Sequence, residues 1–143
     1  MRRLVRLLGG AYEYEYAASR NDALAAHAVP QGARLFRVLN PREKDERNLF
    51  WVGAKLLCSF ADSLSVLMRS RASVILACGP ALAVPVCVLG KLFGKKVLYV
   101  ESWARVKTQS LSGRLVKPFS DLYFVQWRTL QHLPGARYAG RLA

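Results

Sequence analysis

From Ser73 onward the chain alternates short β-branched or aromatic runs with stretches of helical spacing. This alternation limits the fold more than any other feature. The runs are SVILA at 73–77, VLYV at 97–100 and LYFVQW at 122–127. Each is continuously apolar over several residues, the pattern of a strand covered on both faces. Strands that alternate with helices pair in parallel through right-handed crossovers. The second half therefore reads β-α-β-α-β, a Rossmann-like α/β sheet. Pro134-Gly135 then turns the chain into a short final strand at 136–142.

The connecting helices carry their own signals. Cys78-Gly79-Pro80 turns the first strand into an apolar helix, with Pro80 suited to its first turn. Pro85 is expected to kink that helix or end it early. Ser110 is placed to cap a helix over 111–119, with Pro118 breaking it near its end. In the first half, residues 2–8 read as a short amphipathic helix closed by Gly9-Gly10. Residues 11–17 alternate Tyr and Glu, which predicts a strand at a sheet edge. Residues 19–32 are turn-like, 33–39 read as a strand, and the charged 40–47 is the linker candidate. Leu49, Val52, Leu56, Phe60, Leu64, Leu67 and Met68 fall on one face of a helix over 46–70. That stripe predicts the face packed on the sheet.

Length and composition bound the rest. At 143 residues the chain is one domain, 1–143, long enough for a core without staples. An apolar fraction of 52% excludes a disordered chain. The net charge of +13 is uneven: 91–143 holds ten basic residues against Glu101 and Asp121, while 48–90 is nearly uncharged. Such a field favours nucleic acid, anionic headgroups or phosphorylated ligands. Cys58, Cys78 and Cys87 sit among apolar residues, far in sequence from His27 and His132, so buried thiols are expected and a zinc site is not. No signal peptide is legible. Residues 74–90 are 17 uncharged residues, short for a membrane span and interrupted by Pro80 and Pro85.

The stretch 95–127 is the part that points at a function. Glu101 and Ser102 follow a strand directly and so belong at the carboxyl edge of the sheet, where open α/β folds hold ligands. Arg105 and Lys107 lie in the loop beyond. Ser110, Ser112 and Gly113 open the next helix, whose free N–H groups suit an anion. Gly113 would let a ligand approach the backbone. Gln126 and Trp127 end the next strand on the same edge. No Ser/His/Asp set and no Walker-type loop can be assembled.

The string CGPALAVPVCVLGKLFGKKVLYVESWARVKTQSLSGRLVKPFSDLYFVQW, followed by YAGRL, resembles the asparagine-linked glycosylation protein 14 family and its bacterial PssD-type relatives. The pieces that carry the resemblance are G-P-x-x-x-V-P, Y-V-E-S-x-x-R-V, S-L-[ST]-G-R-L and V-Q-W. The resemblance implies the acceptor-side half of a MurG-like GT-B glycosyltransferase. Its donor half would be a separate chain carrying the UDP-sugar site, with transfer onto a polyprenyl-diphosphate-linked sugar. The alternative is a non-catalytic anchor that recruits and activates the donor-binding subunit. No activity is expected without that partner, and no cofactor, metal or nucleic acid is implied. Glu101, Ser102, Arg105, Ser110, Ser112 and Gly113 would line the acceptor diphosphate site, with Gln126, Trp127, Tyr138 and Gly140 at its edge or at the partner. Leu82, Val86, Leu89, Leu92, Phe93, Lys95 and Lys96 would form a patch on an anionic membrane surface. Family members begin with a strand and a glycine-rich S-G-G-H loop. Here Met1 falls within the first helix, so that strand and loop are expected to be missing, through a late start assignment or a truncated form. Eukaryotic members also carry an N-terminal membrane helix, and its absence favours a peripheral protein of the bacterial type, at the cytoplasmic face of the plasma membrane. A eukaryotic member would sit at the endoplasmic reticulum membrane.

Overall fold

The computed structural model describes residues 12–30, 32–41, 49–79 and 81–141. The expected helix at 2–8, most of the linker at 40–47, and Pro80 lie outside the described residues. The strands are β1 (Tyr16–Ser19), β2 (Leu35–Val38), β3 (Val74–Cys78), β4 (Lys96–Val100), β5 (Leu122–Val125) and β6 (Ala136–Tyr138). The helices are α1 (Ala25–Ala28), α2 (Leu49–Arg69), α3 (Ala83–Leu92) and α4 (Leu111–Val116). β1 and β2 form a parallel pair, and β3-β4-β5-β6 form a second, wholly parallel sheet. The α/β architecture expected from the alternation is present. Among the described residues no strand joins β1 to β3.

The core of the larger sheet lies on the helix-bearing face. Ile75 and Ala77 of β3, Val97 and Tyr99 of β4, and Tyr123 and Val125 of β5 point into it with Ala83, Cys87 and Val116. These alternate along each strand, as the period of two requires. α2 packs on α3, and α3 on α4. Burial in this core pushes the Cys87 thiol up to about 12, and burial likewise raises Cys78.

Several local expectations need correction. The strand expected at 11–17 begins only at Tyr16, so most of the Tyr/Glu alternation precedes β1, which is an edge strand, as expected, in its two-stranded pair. The turn region 19–32 holds α1, started by Asp22, whose Oδ1 accepts from the Leu24 and Ala25 N–H groups, both at 3.1 Å. The buried side of α2 matches the apolar stripe only in part: Leu67 is buried as expected, but so are Ser59 and Ser63, while Leu56, Leu64 and Met68 are exposed. α2 and α3 meet closely where Leu67 reaches the Gly90 position of α3. Gly90 of α3 is packed so tightly that a Cβ there would lie 2.0 Å from Ile75 Cδ1. α3 begins at Ala83, so Pro85 falls in its first turn, where the missing N–H breaks no helical bond, and neither kinks nor ends it. α3 closes on Gly94 at φ +74°, with the Lys95 N–H returning 2.9 Å to Gly90 O. Pro118 lies in a 3₁₀ turn, Lys117–Phe119, that ends α4 early.

Asp121 ties α3 to the start of β4. It accepts from Lys91 Nζ at 2.6 Å and from the Val97 N–H at 2.9 Å. The Lys91 hydrogen bond and then the Val97 N–H hold its carboxyl down to about 2.

Candidate functional site

The loop after β4 closes on itself through one buried carboxylate. Glu101 is fully buried. Its Oε1 accepts the Ser102 N–H at 2.9 Å, and its Oε2 accepts the Ser110 N–H at 3.1 Å and the Tyr123 hydroxyl at 2.6 Å. Donors from both ends of the segment 102–110 thus meet on one side chain, an arrangement that an acceptor-only carboxylate satisfies. Tyr123 is stacked on Tyr99, with ring centroids 5.4 Å apart, and its hydroxyl also accepts from Gln109 Nε2 at 2.9 Å. Burial, and then the bond to Glu101, raise the Tyr123 phenol above its ordinary value.

The neighbouring strand end fixes the same loop from the side. Gln126 Nε2 donates to Glu101 O at 2.9 Å, and Trp127 Nε1 donates to Trp103 O at 2.6 Å. The Thr129 hydroxyl donates to Val106 O. Arg141 lies 3.9 Å above the Trp127 ring, and Arg128 lies 5.5 Å from the centre of Tyr138. Gly140 follows β6 in the same C-terminal segment.

At the start of α4, Ser110 Oγ accepts the Gly113 N–H at 2.9 Å, the cap that its position predicts. Gly113 is needed for a different reason from the one its place in the sequence suggests. A Cβ on it would sit 2.3 Å from Glu101 Oε2 and 2.5 Å from the Tyr123 hydroxyl. The space above it is filled by the protein, not left open for a ligand.

The expected residues therefore divide in two. Glu101, Ser110, Gly113 and Gln126 are buried and form the frame. Arg105 and Lys107 are exposed, and Ser102 and Ser112 partly so. Glu101 has no ion pair with Arg105, because its oxygens face inward to Ser102, Ser110 and Tyr123. The loop presents a polar, basic surface to solvent and holds no nucleophile–base pair. Among the described residues no cluster of His, Cys, Asp and Glu could hold a metal.

The expected membrane patch does not hold together. Leu82 and Val86 are buried, whereas Leu92 and Phe93 at the far end of α3 are 73% and 55% exposed. Lys95 Nζ donates to Ala72 O, and Lys96 Nζ lies 3.6 Å from Asp121. Among the described residues no helix is long and apolar enough to cross a membrane.

Tyr123, Gln109 and Thr129 were not singled out from the sequence. Tyr123 carried a usable signal: a buried strand tyrosine needs a partner for its hydroxyl. Nothing local marks Gln109 or Thr129, whose partners are 14 and 23 residues away.

A family model described as oligosaccharide biosynthesis protein Alg14 like matches residues 11–142. The UDP-N-acetylglucosamine transferase subunit ALG14 of Mus musculus is 32% identical over 164 residues, covering 98% of this chain and 75% of its own length. The protein of that name from Rattus norvegicus is 34% identical over 140 residues, covering 92% of this chain and 62% of its own length. The UDP-N-acetylglucosamine transferase subunit alg14 of Schizosaccharomyces pombe is 52% identical over 62 residues, 40% of this chain and 30% of its own length. The chain spans less than two thirds of the rat and Schizosaccharomyces pombe relatives.

Proposed function

The chain belongs to the Alg14-like family of oligosaccharide biosynthesis proteins, and we propose that it is the acceptor-side subunit of a two-component glycosyltransferase. The donor would be UDP-N-acetylglucosamine, the sugar nucleotide in the names of the relatives. It is bound by a separate chain, with which this one forms a heterodimer. The acceptor is a polyprenyl-diphosphate-linked sugar presented at a membrane to which the pair is peripherally bound. The mammalian and fungal relatives support the endoplasmic reticulum membrane and lend no support to a bacterial plasma membrane.

The observation that carries this reading is the basic loop 102–109, projecting from the carboxyl edge of the sheet on a buried frame. Arg105 and Lys107 supply the charge for a diphosphate, and Ser102 and Ser112 supply hydrogen bonds. Glu101, Ser110, Gly113 and Gln126 hold the loop in shape. Trp127, Tyr138 and Gly140, on the adjoining C-terminal segment, face the partner. Arg105→Ala and Lys107→Ala should each raise the acceptor KM of the reconstituted pair roughly tenfold or more, the worth of a charged hydrogen bond. Unchanged transfer by both variants would sink the assignment.

A second reading rests on Glu101. With both oxygens engaged and no access to solvent, it is no general base, and no other candidate stands in the loop. The chain would then anchor and activate a catalytic partner. Under that reading the two variants keep full activity while the heterodimer still forms.

A further inference from the structure

The loop that carries Arg105 and Lys107 also carries apolar side chains that the fold leaves outside. Trp103 is 64% exposed, and on α4 Leu111 and Leu115 are 57% and 50% exposed. Leu111 and Leu115 are one helical step of four apart and share the outer side of α4, while Gly113 and Val116 face inward. The carbonyls of Trp103 and Val106 are held by Trp127 and Thr129, which ties the loop backbone to the C-terminal segment. A tryptophan on a loop tied down at two carbonyls, next to two leucines on one side of α4, is a candidate interaction surface.

Charge selects its occupant. From Ser102 to Ser120 the chain has Arg105, Lys107, Arg114 and Lys117 and no acidic residue. Glu101 is buried. The rival patch at the end of α3, Leu92 and Phe93, is weaker in this respect, since Asp121 sits among Lys91, Lys95 and Lys96 and pairs with the first and last of them, whereas no acid stands among the cations of 102–120. Tryptophan and leucine bordered by unneutralised cations match the headgroup–acyl boundary of an anionic bilayer. We propose that Trp103, Leu111 and Leu115, with Arg114 and Lys107, form the surface on which this protein sits on an anionic membrane. This rests on the acceptor-subunit reading and refines it: the loop that meets the diphosphate would lie at the lipid surface from which the diphosphate projects.

The test uses the full chain assembled with its donor-binding subunit, and vesicles of phosphatidylcholine with and without phosphatidylglycerol. The wild-type pair should bind the anionic vesicles, less so with added salt, and brominated acyl chains should quench its fluorescence. Trp103→Phe should keep binding and lose most of that quenching. Trp103→Ser with Leu111→Ser should lower binding by roughly tenfold or more while thermal stability and heterodimer formation are unchanged, since both side chains are exposed. If that pair of substitutions leaves binding intact and Leu92→Ser with Phe93→Ser abolishes it, the proposed surface is wrong and the membrane reading stands. If the wild-type pair binds neither kind of vesicle, both fail. Loss of the partner chain in place of the vesicles would make this a protein interface and overturn the proposal.

Discussion

Both carboxylate oxygens of Glu101 are turned inward, onto donors from either end of its own loop. The sequence placed this residue correctly at a strand end but left its direction open, because a side chain two positions past a core tyrosine can point to solvent or into the frame. What decides is the tyrosine on the next strand, paired in register with Tyr99. Tyr123→Phe removes the hydroxyl that donates to Glu101 and accepts from Gln109. It should cost about 1–3 kcal/mol, the penalty of a buried charge deprived of one donor. Gly113→Ala forces a methyl into the same cluster and should destabilise by at least as much. Chemical denaturation of the two variants checks this. Wild-type stability in both would mean that the carboxylate, the hydroxyl and the glycine do not form one unit.

At the level of elements, α2 shows where periodicity informs and where it misleads. The spacing of its apolar residues gave the helix and nearly its ends. It gave a face turned part of the way off the buried one, right at Leu67 but wrong at Leu56, Leu64 and Met68, because those weigh more in hydropathy than Ser59 and Ser63. Small residues permit a close helix crossing, and the Ser63 hydroxyl avoids a polar penalty by donating 2.6 Å to Ser59 O. A hydropathy pattern counts such serines as surface. Ser63→Leu should therefore destabilise the protein by about 1–3 kcal/mol through overpacking. Met68→Ser, at a 74% exposed position of the stripe, should change stability by less than about 0.5 kcal/mol. Urea midpoints in the reverse order would return the apolar stripe to the core. The strands β3 to β5 were legible for the opposite reason, since buried parallel strands are apolar without interruption and need no choice of face.

Across the whole molecule, α2 links the two sheets among the described residues, packing on β2 and on α3. Two strands alone are marginal in water, so β1 and β2 depend on what they are fastened to. Asp62 of α2 is one fastening: it pairs with Arg20 at 2.6 Å just after β1 and accepts the Leu39 N–H at 2.9 Å just after β2. Just past the C-terminal end of the helix the Ser70 hydroxyl donates to Glu15, just before β1. These links join residues 23 to 55 positions apart, beyond the reach of any local pattern, which is why the sequence reading yielded each half but not their coupling. The larger sheet has its own core and its own frame around Glu101, so the loop at 102–109 does not need the smaller pair to keep its shape. Asp62→Ala should therefore act regionally. Amide exchange should speed up across residues 16–39 by roughly tenfold, as a local opening becomes about 1–2 kcal/mol easier, while amides of 97–100 and 122–125 keep their protection. Equal acceleration in both regions would show one cooperative unit, and the loop at 102–109 would then depend on Asp62 as much as on Glu101.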